Sequence, residues 1–162
     1  MVIRRATVDD LPSITTIYND AIRKTIATFD TEPKSNQEQK TWFEAHGSRY
    51  PVIVAEVDGT IVGWASLSQY SDRCAYSDTA EASVYVAESH RGKGFGRRLL
   101  CELIERGHKA SFHVLIARIA GGNAVSIRLF ESQGFTHVGV LKEVGRKFGQ
   151  RIDVYIMQRL ME

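Results

Sequence analysis

Between residues 83 and 104 a strand-like run, Ser83-Val84-Tyr85-Val86, enters a turn in which Gly92, Gly94 and Gly96 occupy every second position. A helix-like run carrying Leu99, Leu100, Leu103 and Ile104 leaves it. Glycine lets the backbone turn tightly and approach a ligand with no Cβ in the way. A helix N-terminus offers unpaired N–H groups and about half a unit of positive charge. Strand, glycine turn and helix therefore read together as an anion cradle. Arg91, Lys93, Arg97 and Arg98 cluster around the glycines and add local positive charge. A plain glycine-rich connector is the alternative, but it would have no need of that cluster. The nucleotide P-loop requires Gly-Lys followed by Ser or Thr after a four-residue gap, and the dinucleotide fingerprint requires a different glycine spacing. "GKGFGR" meets neither.

On either side of this turn the chain alternates between strand and helix patterns. "MVIRRA" reads as a strand. Thr7 or Asp9 then caps a helix with apolar positions at Leu11, Ile14, Ile17, Ala21 and Ile22. "FDTEPKS" breaks that helix, and Ser35 with Glu38 forms a capping box for a second helix carrying Trp42 and Phe43. "PVIVAEV" and "TIVGWASLSQY" are strands joined by the hairpin signal Asp58-Gly59. "SDRCAYSD" is a loop and "TAEASVYVA" another strand. Beyond the glycine turn and its helix, "FHVLIARIA" is a strand, and Asn123 caps a short helix ending at Gly134. "THVGVLKEV" and "RIDVYIMQRL" close the chain as strands around the turn "GRKFGQ". The order β-α-α-β-β-β-α-β-α-β-β predicts an α/β fold: one domain over residues 1–162, with a mixed central sheet flanked by helices.

Composition narrows the function classes. With 162 residues, a net charge of +2 and 43% hydrophobic residues, the chain is long enough for one real core. It lacks the bulk positive charge of a nucleic-acid binder. No apolar run approaches a membrane span, and the first residues lack the apolar core of a signal peptide. Cys74 and Cys101 have neither disulfide nor metal spacing and read as reduced thiols of a cytoplasmic protein. The five histidines, His46, His90, His108, His113 and His137, show no metal-ligand spacing, so no metal is expected. His90 reads as a solvated turn residue, with a phosphate contact as the alternative. Trp42, Phe43 and Trp64 read as core.

"RGKGFG" after "SVYV", followed by "NAVSIRLFESQGF", resembles the two signatures of the GNAT superfamily of N-acetyltransferases. The likeness extends over nearly the whole chain. "IYNDAI", "FDTEP", "AYSDTAEASVYV" and "VGRKFGQRIDVYIMQ" look like its phosphinothricin N-acetyltransferase branch. That resemblance implies acetyl coenzyme A as cosubstrate and a small glutamate-like amino-acid analogue as acceptor. It implies a cofactor site made by Val84, Tyr85 and Val86, by Arg91, Gly92, Lys93, Gly94, Phe95, Gly96 and Arg97, and by Asn123, Ser126 and Phe130. The Val86 N–H is implied as donor to the thioester oxygen, and Asn123 as a contact to the pantetheine arm besides capping its helix. Arg73 and Tyr76 match substrate-contacting positions of the branch. Lys147 and Phe148 are further candidates for that pocket, reached across a homodimer interface; "KFG" reads equally well as a hairpin turn. Where many members of the superfamily have a Tyr, this chain has Phe130, so no side-chain acid is assigned to the leaving thiolate. Phe130 also reads as a core residue.

The resemblance also implies a base, Glu81, whose match in the phosphinothricin branch sits at the substrate amine. In "TAEASVYVA" Glu81, Ser83 and Tyr85 share one strand face, while Ala80, Ala82, Val84 and Val86 share the other. A lone strand Glu is ordinarily solvated. On a strand that lines a transfer site it would accept the amine proton directly or through water, with partial burial raising its pKa. Acetyl transfer to an amino acid, catalysed in a ternary complex, is the expected activity. Acetylation of protein termini or lysines, and a catalytically silent coenzyme A sensor, are the alternatives.

Overall fold

The computed structural model describes all 162 residues. Seven strands and four helices follow one another in the order the sequence predicts. They are β1 (Val2–Arg5), α1 (Leu11–Lys24), α2 (Asn36–His46), β2 (Val52–Val57), β3 (Thr60–Gln69), β4 (Thr79–Val86), α3 (Phe95–Lys109), β5 (Val114–Ala120), α4 (Ala124–Ser132), β6 (Thr136–Lys147) and β7 (Gln150–Leu160). One mixed sheet holds all the strands in the order β1-β2-β3-β4-β5-β7-β6, and every neighbouring pair is antiparallel except β4 and β5.

The helices pack on both faces of the sheet. Leu99, Leu100, Leu103 and Ile104 of α3 join the larger core with Phe130 of α4 and the inward residues of β2 to β5 and β7. Leu11, Ile14 and Ile17 of α1 meet Val52, Val54 and Trp64 in a second core on the opposite face. Thr7 caps a short turn over Val8–Asp10 that feeds α1, and Ser35 with Glu38 makes the predicted capping box at α2. Asp10 is buried under α1 in an ion pair with Arg4 at 2.8 Å, which ties β1 to that helix. The guanidinium holds the Asp10 carboxyl below its usual range.

One boundary differs from the sequence reading. The stretch "GRKFGQ" is not a long turn: β6 continues to Lys147, β7 begins at Gln150, and only Phe148 and Gly149 turn the chain. Both have positive φ, 54° and 74°, as a two-residue hairpin turn requires. A Phe in the left-handed region gives no warning in the sequence, whereas Asp58-Gly59 does.

The feature that positions the site is a break in the sheet. β4 pairs with β5 only from Thr79 to Glu81, opposite Val114 to Ile116; beyond that the two strands part. On its other side β4 stays in register with β3 as far as Val86, opposite Gly63. The Ala87 N–H donates to the Val62 carbonyl at 2.8 Å. Antiparallel alternation then turns the N–H groups of Val84 and Val86 away from β3, toward the gap that β5 has left.

Candidate active site

Three connected hollows follow this gap. The largest, about 590 Å³, is framed by the end of β4, the glycine turn, the start of α4 and the last turn of α1. Val84, Tyr85, Val86, Arg91, Gly92, Gly94, Phe95, Gly96, Arg97, Asn123 and Ser126 all line it, as does His90, which is half-buried. Lys93 and Phe130 do not line it. Gly94 is the N-cap of α3 with φ 88°, and Gly92 has φ 75°. A Cβ added at either would meet nothing within 4 Å, so the bare backbone of the turn faces open space. Gly96 differs, because its Cβ would meet the Leu129 side chain at 3.4 Å and Val86 at 3.8 Å. It keeps α3 close to its neighbours. Asn123 Oδ1 accepts the Ser126 N–H at 3.2 Å, the expected helix cap. Arg91 folds back so that its Nε donates to the Val86 carbonyl at 3.1 Å.

This hollow suits a long cofactor ending in phosphates: backbone N–H groups and a helix N-terminus at one end, an unpaired strand edge at the other. A narrow hollow of about 50 Å³ between the parted strands continues it. That hollow shares Val84, Tyr85, Asn123 and Ser126 with the first and adds Ser83, Arg118 and Phe130. Phe130 lies here with its ring edge-on to Phe135 at 4.9 Å, and it is buried in the larger core.

The third hollow, about 320 Å³, lies on the opposite side of Tyr85. Its walls come from Tyr18 of α1, from Asp30 and Lys34 of the connection that follows, from Glu38, Gln39 and Trp42 of α2, and from β3 and β4. Its floor is a ladder on one face, Trp64 opposite Tyr85 and Ser66 opposite Ser83, ending at Ser68; Glu81, the strand partner of Ser68, does not itself line the hollow. The rings pack as a cluster, with Trp64 stacked on Tyr85 at 4.9 Å and Trp42 edge-on to Trp64 at 5.3 Å. Asn19 pins the α1–α2 connection with two hydrogen bonds to the Lys34 backbone, at 2.8 and 3.0 Å. Tyr18 donates to the Asp30 carboxylate. Burial is the main cause of the raised pKa of both Tyr18 and Tyr85, so both phenols stay protonated.

Glu81 shares its strand face with Ser83 and Tyr85, as the alternation predicts, but it is not a free carboxylate. Arg118 of β5 grips it with three contacts: Nη2 to Oε1 at 2.6 Å, and Nε to Oε2 and Oε1 at 2.8 and 3.1 Å. The hydrogen bond to Glu81 is also the first cause of the raised Arg118 pKa. The sequence reading missed Arg118. Its one signal was a charged residue inside the apolar run "VLIARIA", on the face alternate to the buried Leu115, Ala117 and Ile119.

The other expected substrate contacts lie apart from these hollows within one chain. Arg73 and Tyr76 belong to an exposed turn before β4, where Tyr76 packs edge-on to Tyr70 at 5.4 Å. Lys147 is buried, and its Nζ donates to the Thr28 carbonyl at 2.7 Å beside the Phe148 ring. Burial lowers its pKa. It lines a separate open hollow with Arg23 and Arg146.

A family model described as an acetyltransferase (GNAT) domain matches residues 3–156. An L-methionine sulfoximine/L-methionine sulfone acetyltransferase from Pseudomonas paraeruginosa is 41% identical over 96% of this chain and 92% of its own length. Among solved structures, a phosphinothricin acetyltransferase from Sinorhizobium meliloti in complex with acetyl-CoA superposes with a TM-score of 0.95. It is 37% identical, over 98% of this chain and 87% of that one. A ribosomal-protein-alanine N-acetyltransferase from Brucella melitensis superposes with a TM-score of 0.96, at 43% identity over 99% of both chains. The parted strands, the glycine turn and these likenesses agree: the chain belongs to the GNAT acetyltransferase family.

Proposed function

We propose that this protein transfers the acetyl group of acetyl-CoA to the α-amino group of small glutamate-like amino-acid analogues, of the phosphinothricin or methionine sulfoximine kind, in a ternary complex. One observation carries the reading. Two hollows, one long and ending at a glycine turn, the other small and polar-aromatic, meet on either side of Tyr85 where β4 and β5 part. A hollow of about 320 Å³ walled by two helices and their connection has room for an amino acid. The whole chain, residues 1–162, serves as one catalytic domain in this reading.

The cofactor would supply an activated acyl group as a thioester. Gly92, Gly94 and the first N–H groups of α3, with Arg91, Lys93 and Arg97 nearby, would hold its pyrophosphate. The Val86 N–H, free of β3, donates to the oxygen that gains charge during attack, a contribution of about 3 kcal/mol for a well-placed donor. Asn123 and Ser126 border the arm, and Phe130 closes the narrow hollow behind it. Glu81 takes the amine proton, directly or through a water, while Arg118 fixes the orientation of its carboxylate. The thiolate needs no side-chain acid, since a thiol of pKa about 8.5 is a competent leaving group.

A homodimer fits this reading. β6 is an edge strand that leaves Val138, Val140, Leu141 and Val144 exposed, and the Phe148 ring projects beside it. Such an interface is the route by which Phe148, Arg73 and Tyr76 would reach an acceptor hollow from which they lie apart in one chain; Lys147, buried and bonded to Thr28 of its own chain, would support the Phe148 turn and not contact the acceptor. Light scattering of the purified protein tests it. A cytoplasmic location suits the two unpaired, exposed cysteines, and detoxification of amino-acid-like inhibitors is the role that would follow.

The likeness to a ribosomal-protein-alanine acetyltransferase favours a second reading, acetylation of a protein N-terminus. A side-by-side assay with a free-thiol readout separates the two. Phosphinothricin and methionine sulfoximine should be acetylated; an alanine-led ribosomal peptide and a lysine-bearing histone-tail peptide should not. Turnover of a peptide without turnover of either analogue would overturn the small-molecule reading.

A further inference from the structure

His46 ends α2 with 8% of its surface exposed, and both ring nitrogens are engaged. Nδ1 lies 2.7 Å from the Trp42 carbonyl. A carbonyl oxygen can only accept, so Nδ1 carries the hydrogen. Nε2 of the neutral ring then offers a lone pair, and the contact of 3.1 Å to Ser68 Oγ is one in which the hydroxyl donates. Burial lowers the ring's pKa and favours this neutral form. The only hydrogen of the Ser68 hydroxyl is thereby used, and its remaining lone pairs are free. Ser68 lines the small hollow, and on the neighbouring strand it is the direct partner of Glu81.

We infer that His46 is a positioning residue that fixes Ser68 as a hydrogen-bond acceptor for the substrate amine beside Glu81. The inference rests on the acetyl-transfer reading above and goes beyond it by naming two further residues. A primary amine attacking a carbonyl carbon has N–H bonds to direct as well as a lone pair. Ser68 receives one N–H while Glu81 takes the departing proton, so the nitrogen lone pair is left for attack. Were the Ser68 hydroxyl free to rotate, its hydrogen would compete with that arrangement by pointing at the nitrogen. His46 prevents the rotation from outside the hollow, where Arg5, Glu44 and Tyr50 border the other side of its ring.

The same geometry sets a pH dependence. Protonated His46 donates from Nε2, so Ser68 Oγ becomes the acceptor of that bond and turns its hydrogen toward the hollow. Trp42 and Glu44 of α2, Tyr50 of the connection that follows, Arg5 of β1, Ser68 of β3 and Glu81 of β4 are the polar and charged groups around this pair. The acid limb that belongs to the ring lies below pH 6.5, the ordinary histidine value.

Four variants test the inference: Ser68→Ala, His46→Phe, the two combined, and His46→Gln. Each of the first two should lower kcat/KM for methionine sulfoximine about tenfold, with KM for acetyl-CoA unchanged. The combined variant should be no worse than either alone, because His46 acts through Ser68. His46→Gln, whose amide oxygen can still accept from Ser68, should recover part of the loss and lack the acid limb. Losses that multiply in the combined variant, or that fall equally on acetyl-CoA, would overturn the inference. Nitrogen-15 NMR of His46 in the wild-type protein supplies a readout that needs no turnover. An unprotonated Nε2 that responds to Ser68→Ala supports the arrangement, and a protonated Nε2 at neutral pH refutes it. A wild-type protein inactive on every amino acid would refute the acetyl-transfer reading, while the NMR result would still decide the His46–Ser68 pair.

Discussion

The two hollows that meet at Tyr85 are built in opposite ways. The long one is made mostly from one continuous stretch, a strand end, a glycine turn and the first turn of α3, completed by the start of α4 and the last turn of α1. Its chemistry lies in backbone N–H groups, so its code is a spacing of glycines. The small one is made from side chains of α1, α2, their connection, β3 and β4, gathered from five separate stretches of the chain. Its chemistry lies in rotamers and partners. A change in the first should therefore act through geometry and affect one ligand, the cofactor. A change in the second should act through hydrogen bonds and affect the other ligand or the rate.

Glu81→Gln gives the largest expected effect. It keeps size and hydrogen bonding but cannot accept a proton, and kcat/KM for the amino acid should fall about 100-fold at neutral pH, the low end for a general base. The loss should shrink toward about pH 9–10, where free amine accumulates without help. Wild-type rates in this variant would remove Glu81 from the mechanism. Arg118→Ala sharpens the same point: it should lower kcat while leaving the KM for acetyl-CoA alone, since Arg118 holds Glu81 and not the turn.

Arg73→Ala comes next. If a second subunit brings Arg73 to the acceptor, losing a charge-assisted contact of about 2 kcal/mol raises the amino-acid KM about 30-fold and spares acetyl-CoA. Arg73→Lys should restore only part of it. An unchanged KM would leave the acceptor hollow to one chain.

Gly94→Val probes the other region. Its left-handed backbone faces open space, so a side chain there both strains the turn and obstructs the approach of a ligand. Titration calorimetry should show acetyl-CoA binding at least about tenfold weaker in a folded protein. Gly96→Val serves as contrast: its side chain would press on Leu129 and Val86, so its cost should appear in melting temperature as well as in binding.

The smallest effect concerns the scaffold that both hollows share. The Asp10 carboxyl is held below its ordinary value of 3.8 by Arg4, so the stability it contributes is present above that value. It is lost as pH falls further, through the lower folded pKa. Asp10→Asn should cost about 1–2 kcal/mol at neutral pH and flatten the acid end of a melting-temperature profile. A loss of activity that follows this profile belongs to the fold, and one that persists in Asp10→Asn belongs to the site.

The contrast between the regions also explains what could be read from the chain. Gly92, Gly94, Asn123 and the strand before them were legible because each answers to a local rule, a positive φ, a helix start or a period of two. The face shared by Glu81, Ser83 and Tyr85 was legible for the same reason. The Arg118 grip on Glu81 was not, because it depends on β4 and β5 being parallel neighbours for only three residues. Nor was the role of Trp42 and Trp64 as hollow lining as well as core, which needs α2 to cross above β3. His46 looked like one histidine among five until its two nitrogens had partners. The Phe148 turn was obscured because a bulky residue occupies a backbone region that sequence rules reserve for glycine.

The parting of β4 from β5 makes a ligand part of the architecture. Val84 and Val86 present the edge of an unfinished sheet on the side away from β3, and whatever fills the seam completes it as a missing rung would. Occupancy should then be visible as heat resistance. At a concentration 100 times its dissociation constant, a bound ligand adds about 2.7 kcal/mol to the folded state, which raises the melting temperature of a domain this size by several degrees. A thermal-shift screen of coenzyme A thioesters, and then of amino acids in their presence, would rank candidate ligands without any assumption about the reaction.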